Sequence, residues 1–180
     1  PTLCKDIGWL IDQARKKTGL PVAVITNGSL LYREEVRNDL SKANVVIPSI
    51  DAGDSVTFRK INRPYKNLKF EKIIEGIIQF SDNFEGEVWT ETMLVKAYND
   101  DKDAIDRIKN IIEKIDPEKS FIMSPTRPPV EDIEQAKPEN FLYAQRAISK
   151  TEAIDYIEEG EFNIQNYDNL ATALKEISKR

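Results

Sequence analysis

Short, wholly apolar runs rich in β-branched residues alternate with amphipathic helical segments along this chain, and that alternation leaves few folds open. Val22-Ala23-Val24-Ile25, Val45-Val46-Ile47-Pro48, Val88-Trp89 and Phe121-Ile122-Met123 read as strands covered on both faces. Between them, apolar residues recur at helical spacing. Ile7, Leu10, Ile11 and Ala14 form one stripe, and Ile73, Ile74, Ile77 and Ile78 a second. The clearest comprises Ala104, Ile105, Ile108, Ile111, Ile112 and Ile115. Helices are therefore expected over 6–17, 33–40, 70–80 and 101–115, and strands over 22–25, 45–50, 87–95 and 120–123. The fold class that follows is α/β, with a parallel sheet and crossover helices.

Each strand run ends in polar residues. Val22–Ile25 leads into Thr26-Asn27-Gly28-Ser29, Val45–Pro48 into Ser49-Ile50-Asp51, and Val88-Trp89 into Thr90-Glu91-Thr92. Phe121–Met123 leads into Ser124-Pro125-Thr126-Arg127. Parallel α/β proteins bind ligands outside the carboxyl ends of their strands, so polar strand ends in series point to one composite site. Asp51 or Glu91 suits a ribose diol or an ammonium group, and the hydroxyls with nearby amides suit a carboxylate. Asn27-Gly28 equally suits a simple turn, and Ser49 and Asp51 the capping of a following loop. Arg127, held between prolines, suits a carboxylate or phosphate, or belongs to a rigid loop that turns the chain.

Composition excludes several classes. The 180 residues carry 32% charged and 40% hydrophobic residues, with a net charge of -5, so no global field favours nucleic acid or membrane. No apolar run is long enough to span a bilayer. There is no His, which removes Ser-His-Asp chemistry and most zinc hydrolases, and the single cysteine, Cys4, leaves no cysteine cluster for a metal. No GxGxxG or GxxxxGK is present, which argues against dinucleotide binding and nucleotide hydrolysis. These features suit a cytoplasmic protein. One stretch departs from the acidic whole: Arg59, Lys60, Arg63, Lys66, Lys69 and Lys72 follow closely, with Phe58, Tyr65 and Phe70 among them. Such a stretch tracks phosphates or forms a solvated, salt-bridged surface.

In order and spacing, these motifs resemble the radical S-adenosylmethionine (radical SAM) superfamily, in particular Fe–S oxidoreductases related to the wyosine-forming tRNA enzymes. Pro1-Thr2-Leu3 resembles the end of a GEPTL motif, Thr26–Leu31 a TNGSLL motif and Pro48–Ala52 a PSLDA motif. Phe58, Ile61, Asn62, Arg63 and Pro64 fit an FxxINRP pattern, Val88–Val95 a VWTETMLV strand and Pro125–Pro129 a PTRPP loop. The resemblance covers roughly residues 1–130.

It implies an incomplete (β/α)6 partial barrel of parallel strands over residues 1–138, with residues 139–180 as a short C-terminal extension packed on it. Within that extension, 139–147 and 168–179 read as helical and 151–164 as either helix or strand. The resemblance further implies SAM as cofactor, together with a 4Fe–4S cluster held by a CxxxCxxC loop. By position, Thr26 and Asn27 would face methionine or substrate, and Ser49 and Asp51 the ribose and methionine carboxylate. Thr90, Glu91 and Thr92 would meet SAM, Met123 and Pro125 would line adenine, and Arg63 and Arg127 would touch substrate. No catalytic residue is singled out.

The cluster loop has no counterpart here, and Pro1 is not an initiator Met. The expectation is therefore a C-terminal part of such an enzyme, with no cofactor bound and inactive by itself. Expected partners are SAM, an unknown substrate with tRNA possible, and a flavodoxin- or ferredoxin-like electron donor, without a membrane. Self-association through an exposed barrel edge is also expected. The alternative is a non-catalytic α/β binding module.

Overall fold

In the computed structural model, the structure describes residues 1–123, 125, 136–148 and 150–153. The elements run α1 (Ile7–Thr18), β1 (Ala23–Thr26), α2 (Glu34–Leu40), β2 (Val45–Pro48), α3 (Ser55–Asn62) and α4 (Phe70–Asn83). They continue with β3 (Glu87–Met93), α5 (Lys102–Ile115), β4 (Lys119–Met123), α6 (Pro138–Ala147) and β5 (Thr151–Ala153). The sheet order is β1-β2-β3-β4-β5, and every neighbouring pair is parallel.

A parallel sheet whose spatial order equals its chain order has crossovers of one sense. Right-handed crossovers then place every connecting helix on the same face. The packing agrees. Val24, Val46, Val88 and Ile122 join the large core with Ile73 and Ile77 of α4 and Ile105, Ile108 and Ile112 of α5. Alternate residues point the other way. Val45, Ile47, Trp89 and Phe121 form a second apolar cluster on the opposite face, with the Trp89 and Phe121 ring centroids 5.7 Å apart. That face is the inner wall of an incomplete barrel.

The helices start where their caps dictate. Asp101 accepts from Ala104 N at 2.8 Å to open α5, whose Ala104, Ile105, Ile108, Ile111, Ile112 and Ile115 are all buried. Asp54 opens α3 by accepting from Val56 N and Thr57 N at 2.9 and 2.8 Å. Asp101→Ala is expected to lower stability by about 1 kcal/mol, the usual loss of an N-cap, read as a shift in the urea midpoint with an unchanged slope.

One element departs from the sequence expectation, and a second falls on one of two alternatives left open, helix or strand over 151–164. α3 runs into the start of the basic stretch and was not foreseen, because Val56 and Thr57 are β-branched and the helix is only 8 residues long. β5 is a 3-residue strand that pairs with β4 through Ser120↔Thr151, Phe121↔Glu152 and Ile122↔Ala153. Residues 138–153 therefore add a helix and a strand to the same sheet. The helix expected over 168–179 lies outside the described residues, as does all but the start of 151–164.

Candidate functional site

The parity of the strands decides which polar ends share a face. Ser49 follows Ile47 by two residues and Glu91 follows Trp89 by two, so both continue the inner-face columns. Their backbones form a parallel bridge, and Ser49 Oγ donates to Glu91 Oε1 at 2.7 Å. Glu91 Oε2 has no hydrogen-bond partner among the described residues. A cavity of about 220 Å³ opens beside Ser49, lined by it, Ile25, Thr26, Asn27 and Ser29 with the first three residues of the chain.

Asp51 ends β2 more deeply. Its Oδ1 accepts from Met93 N and its Oδ2 from Asn62 Nδ2, both at 2.9 Å. The peptide next to it is clamped by Asn99, whose Nδ2 donates to Asp51 O and Met93 O at 2.8 Å while its Oδ1 accepts from Val95 N at 2.7 Å. Asn99 is fully buried. Asn62 Oδ1 is buried without a partner among the described residues, and the crevice that Asn62 lines holds about 10 Å³, room for one water at most.

Of the other expected residues, Thr26 and Asn27 also line the cavity beside Ser49, and the rest fall elsewhere. Thr90 and Thr92 have the opposite parity to Glu91 and face the helices. Thr90 Oγ1 donates to Ser120 Oγ at 3.1 Å, and Thr92 Oγ1 to Ile50 O at 2.9 Å. Thr26 is buried, and its Oγ1 accepts from Gly28 N at 3.2 Å, so the side chain shapes the turn. Asn27 is exposed at the mouth and makes an Asx turn by accepting from Ser29 N at 3.1 Å. Gly28 has φ 67°, and a Cβ there would sit 2.7 Å from Ile77 Cδ1. Met123 packs on the inner cluster, and Pro125 is half-buried. Arg63 caps α3 in the left-handed conformation, exposed. Arg127 lies outside the described residues. In the sequence Asn62 stands only within the FxxINRP pattern, with no site role, and Asn99 within an Asn-Asp-Asp stretch that signals only a loop and a cap.

Burial raises the pKa of Asp51, against the opposing hydrogen bonds from Met93 and Asn62. Burial also raises that of Glu91; the Ser49 hydroxyl lowers it and the Asp51 charge adds to the rise. Both carboxyls hold their protons more tightly folded than unfolded. They therefore favour the fold below the ordinary carboxylate range, and this contribution is lost as pH rises through their raised folded values. Asp54 runs the other way: burial opposes its ionisation, but Thr57, Val56 and Arg107 together lower its pKa. Its contribution is present above the ordinary value and lost as pH falls through the lowered one. Asp51→Asn keeps an acceptor for Met93 N and removes the charge. Its urea midpoint is expected to fall less than the parent's between acid and neutral pH. Parallel curves would contradict the assignment.

No family model matches the chain. Residues of the chain are 46% identical over 127 positions to a protein named GTPase Obg from Brachyspira hyodysenteriae, covering 71% of this chain and 19% of that protein. A UPF0026 protein of Methanocaldococcus jannaschii is 40% identical over 131 residues, covering 73% of this chain and 40% of its own length. One from Synechocystis is 32% identical over 128 residues, covering 71% and 48%. The chain thus spans between a fifth and a half of these relatives. Among solved structures, a domain of pyruvate-formate lyase-activating enzyme from Bacteroides vulgatus superposes with a TM-score of 0.64 at 16% identity, covering 83% of this chain and 91% of that one. A radical SAM methyltransferase from Sphaerobacter thermophilus gives 0.59 at 13% identity, covering 77% and 40%.

The fold is that of a radical SAM partial barrel.

Radical SAM enzymes use SAM and a 4Fe–4S cluster. The residues here fit the first and not the second. The inner mouth offers a carboxylate with a free oxygen, a hydroxyl and an open cavity. At about 220 Å³ that cavity is smaller than a whole ligand of this size needs. A cluster requires several thiolates, whereas the chain has Cys4 alone, which is exposed. Among the described residues no group of three His, Cys, Asp or Glu side chains converges to hold a metal. Nor is any described helix long and apolar enough to cross a membrane.

Proposed function

We propose that the inner face at the carboxyl ends of β1, β2 and β3 binds SAM, as the cofactor-binding wall of a radical SAM enzyme. The observation that carries this reading is the half-buried Ser49–Glu91 pair on the inner face: Ser49 lines an open cavity, and Glu91 keeps one carboxylate oxygen uncommitted among the described residues. Glu91 is suited to the ribose diol or the ammonium group, because either supplies the donor that Oε2 lacks. A cation or diol there would also offset the desolvation that raises its pKa. Ser49 Oγ orients the carboxylate and lines the cavity. The exposed Asn27 side chain suits a carboxylate group through its amide Nδ2, since its Oδ1 already accepts from Ser29 N. In radical SAM enzymes a reduced 4Fe–4S cluster cleaves SAM to methionine and a 5′-deoxyadenosyl radical. This chain brings the binding wall and not the electron source, so SAM should bind to it without being cleaved.

Calorimetric titration of the chain with SAM should give saturable binding. Glu91→Gln and Glu91→Ala should weaken it roughly ten- to a hundredfold, the loss expected of a hydrogen bond to a charged group. Equal binding by Glu91→Ala, or no saturable binding, rejects the site. Anaerobic reconstitution of the full gene product with iron and sulfide tests the reaction itself. Cluster absorbance with 5′-deoxyadenosine formed from SAM supports it; the absence of both leaves a binding module without catalysis.

A further inference from the structure

We infer that the exposed turn between α3 and α4 is a docking surface for single-stranded nucleic acid, set at the rim of the inner-face mouth. This surface stands independently of whether the mouth takes SAM. Residues 59–72 carry six cations against the one carboxylate of Glu71, within a chain whose net charge is -5. The acidic excess therefore lies wholly elsewhere, and the turn is an island of opposite sign. All six cations are exposed. Lys60, Lys66 and Lys69 form no ion pair among the described residues, so their charge is not spent on neighbours. Lys72 stands over the Tyr32 ring at 4.3 Å.

The turn is built, not merely solvated. Its base is fixed to the site by Asn62, which donates to Asp51, and by Phe58 and Phe70, whose rings meet at 5.4 Å. Its tip is closed by the Leu68 N to Tyr65 O bond at 2.9 Å. On that fixed tip Tyr65 leaves 67% of its surface exposed, flanked by Arg63 and Lys66. Tyr98, in the loop that follows β3, is 41% exposed. Cations in series beside presented aromatic rings match a strand whose phosphates need neutralising and whose bases need a stacking surface. An acidic peptide would satisfy the lysines but give the tyrosine rings no such partner.

The test is fluorescence anisotropy of a labelled single-stranded oligonucleotide titrated with the chain at low salt, repeated with Lys60→Gln/Lys66→Gln/Lys69→Gln and with Tyr65→Ala. Binding by the parent should weaken steeply with salt. The triple variant should lose roughly tenfold or more in affinity. Its log affinity against log salt should flatten by about 2, from three cations at about 0.7 each on a single strand. Tyr65→Ala should lose roughly fivefold or more while keeping the parent's salt slope. Circular dichroism should show all variants folded, and their SAM titration should match the parent's, which separates this surface from the Glu91 site. No binding at low salt, or a triple variant that binds like the parent, overturns the inference. So does a Tyr65→Ala variant with unchanged affinity, which would mark the turn as a plain polyanion surface.

Discussion

Asn99→Ala is expected to cost roughly 3–5 kcal/mol, which takes a protein at the low end of ordinary stability, about 5 kcal/mol, close to its unfolding midpoint. One side chain here satisfies three backbone groups: the carbonyls of Asp51 and Met93 and the amide of Val95. Each lies in or beside the core, where an unpaired polar group costs about 1–3 kcal/mol. Asn99→Asp should do no better, since it replaces the two-bond donor with an acceptor facing two carbonyls. Urea unfolding followed by circular dichroism reads the loss; a change below about 1 kcal/mol would mean that water replaces the amide freely. Asn99 also holds the ends of β2 and β3 together. Any folded fraction of Asn99→Ala should therefore bind SAM more weakly, because the Ser49–Glu91 alignment depends on that spacing.

Gly76→Ala is expected to destabilise by roughly 1–3 kcal/mol or more, against the normal benefit of alanine in a helix. A Cβ there would lie 2.4 Å from Tyr32 N, 2.6 Å from Tyr32 Cα and 2.8 Å from Leu31 C. All three are backbone atoms, so no rotamer change relieves the clash. Either α4 lifts from the core or the loop after β1 shifts, and that loop carries Asn27 and Ser29 at the cavity. Gly19→Ala is the contrast: nothing lies within 4 Å of its Cβ position, and only the strain of φ 66° opposes it. A thermal scan placing Gly76→Ala at or above the parent would sink this account of the α4 contact.

The α/β alternation was legible in the sequence because its signals are local. The isoleucine stripe of 105–115 has one helical phase, and the run at 45–48 is a fully buried strand as expected, whereas that at 22–25 forms a strand that leaves Ile25 43% exposed on the inner face. The helix α3 was less legible, since its propensity is poor and its stability comes from the Asp54 cap and the packing of Phe58 on Phe70. The strand β5 was less legible still: a 3-residue strand has no period of its own and exists because β4 offers an edge. At the site, Glu91 and Ser49 were named, yet so were Thr90 and Thr92, which the pleat turns to the helices.

The sequence by itself determined the order of strands and helices, the polar strand ends and the lack of thiolates for a cluster. Each of these is written in the spacing of apolar residues or in the count of one residue type. Tertiary structure alone decided which polar ends share the inner face, that Ser49 meets Glu91 across 42 residues, and that Asn99 clamps Asp51 across 48. Contacts at such separations leave no local pattern. They arise only when parallel pairing brings β2 beside β3 and the two-residue pleat assigns each side chain its face.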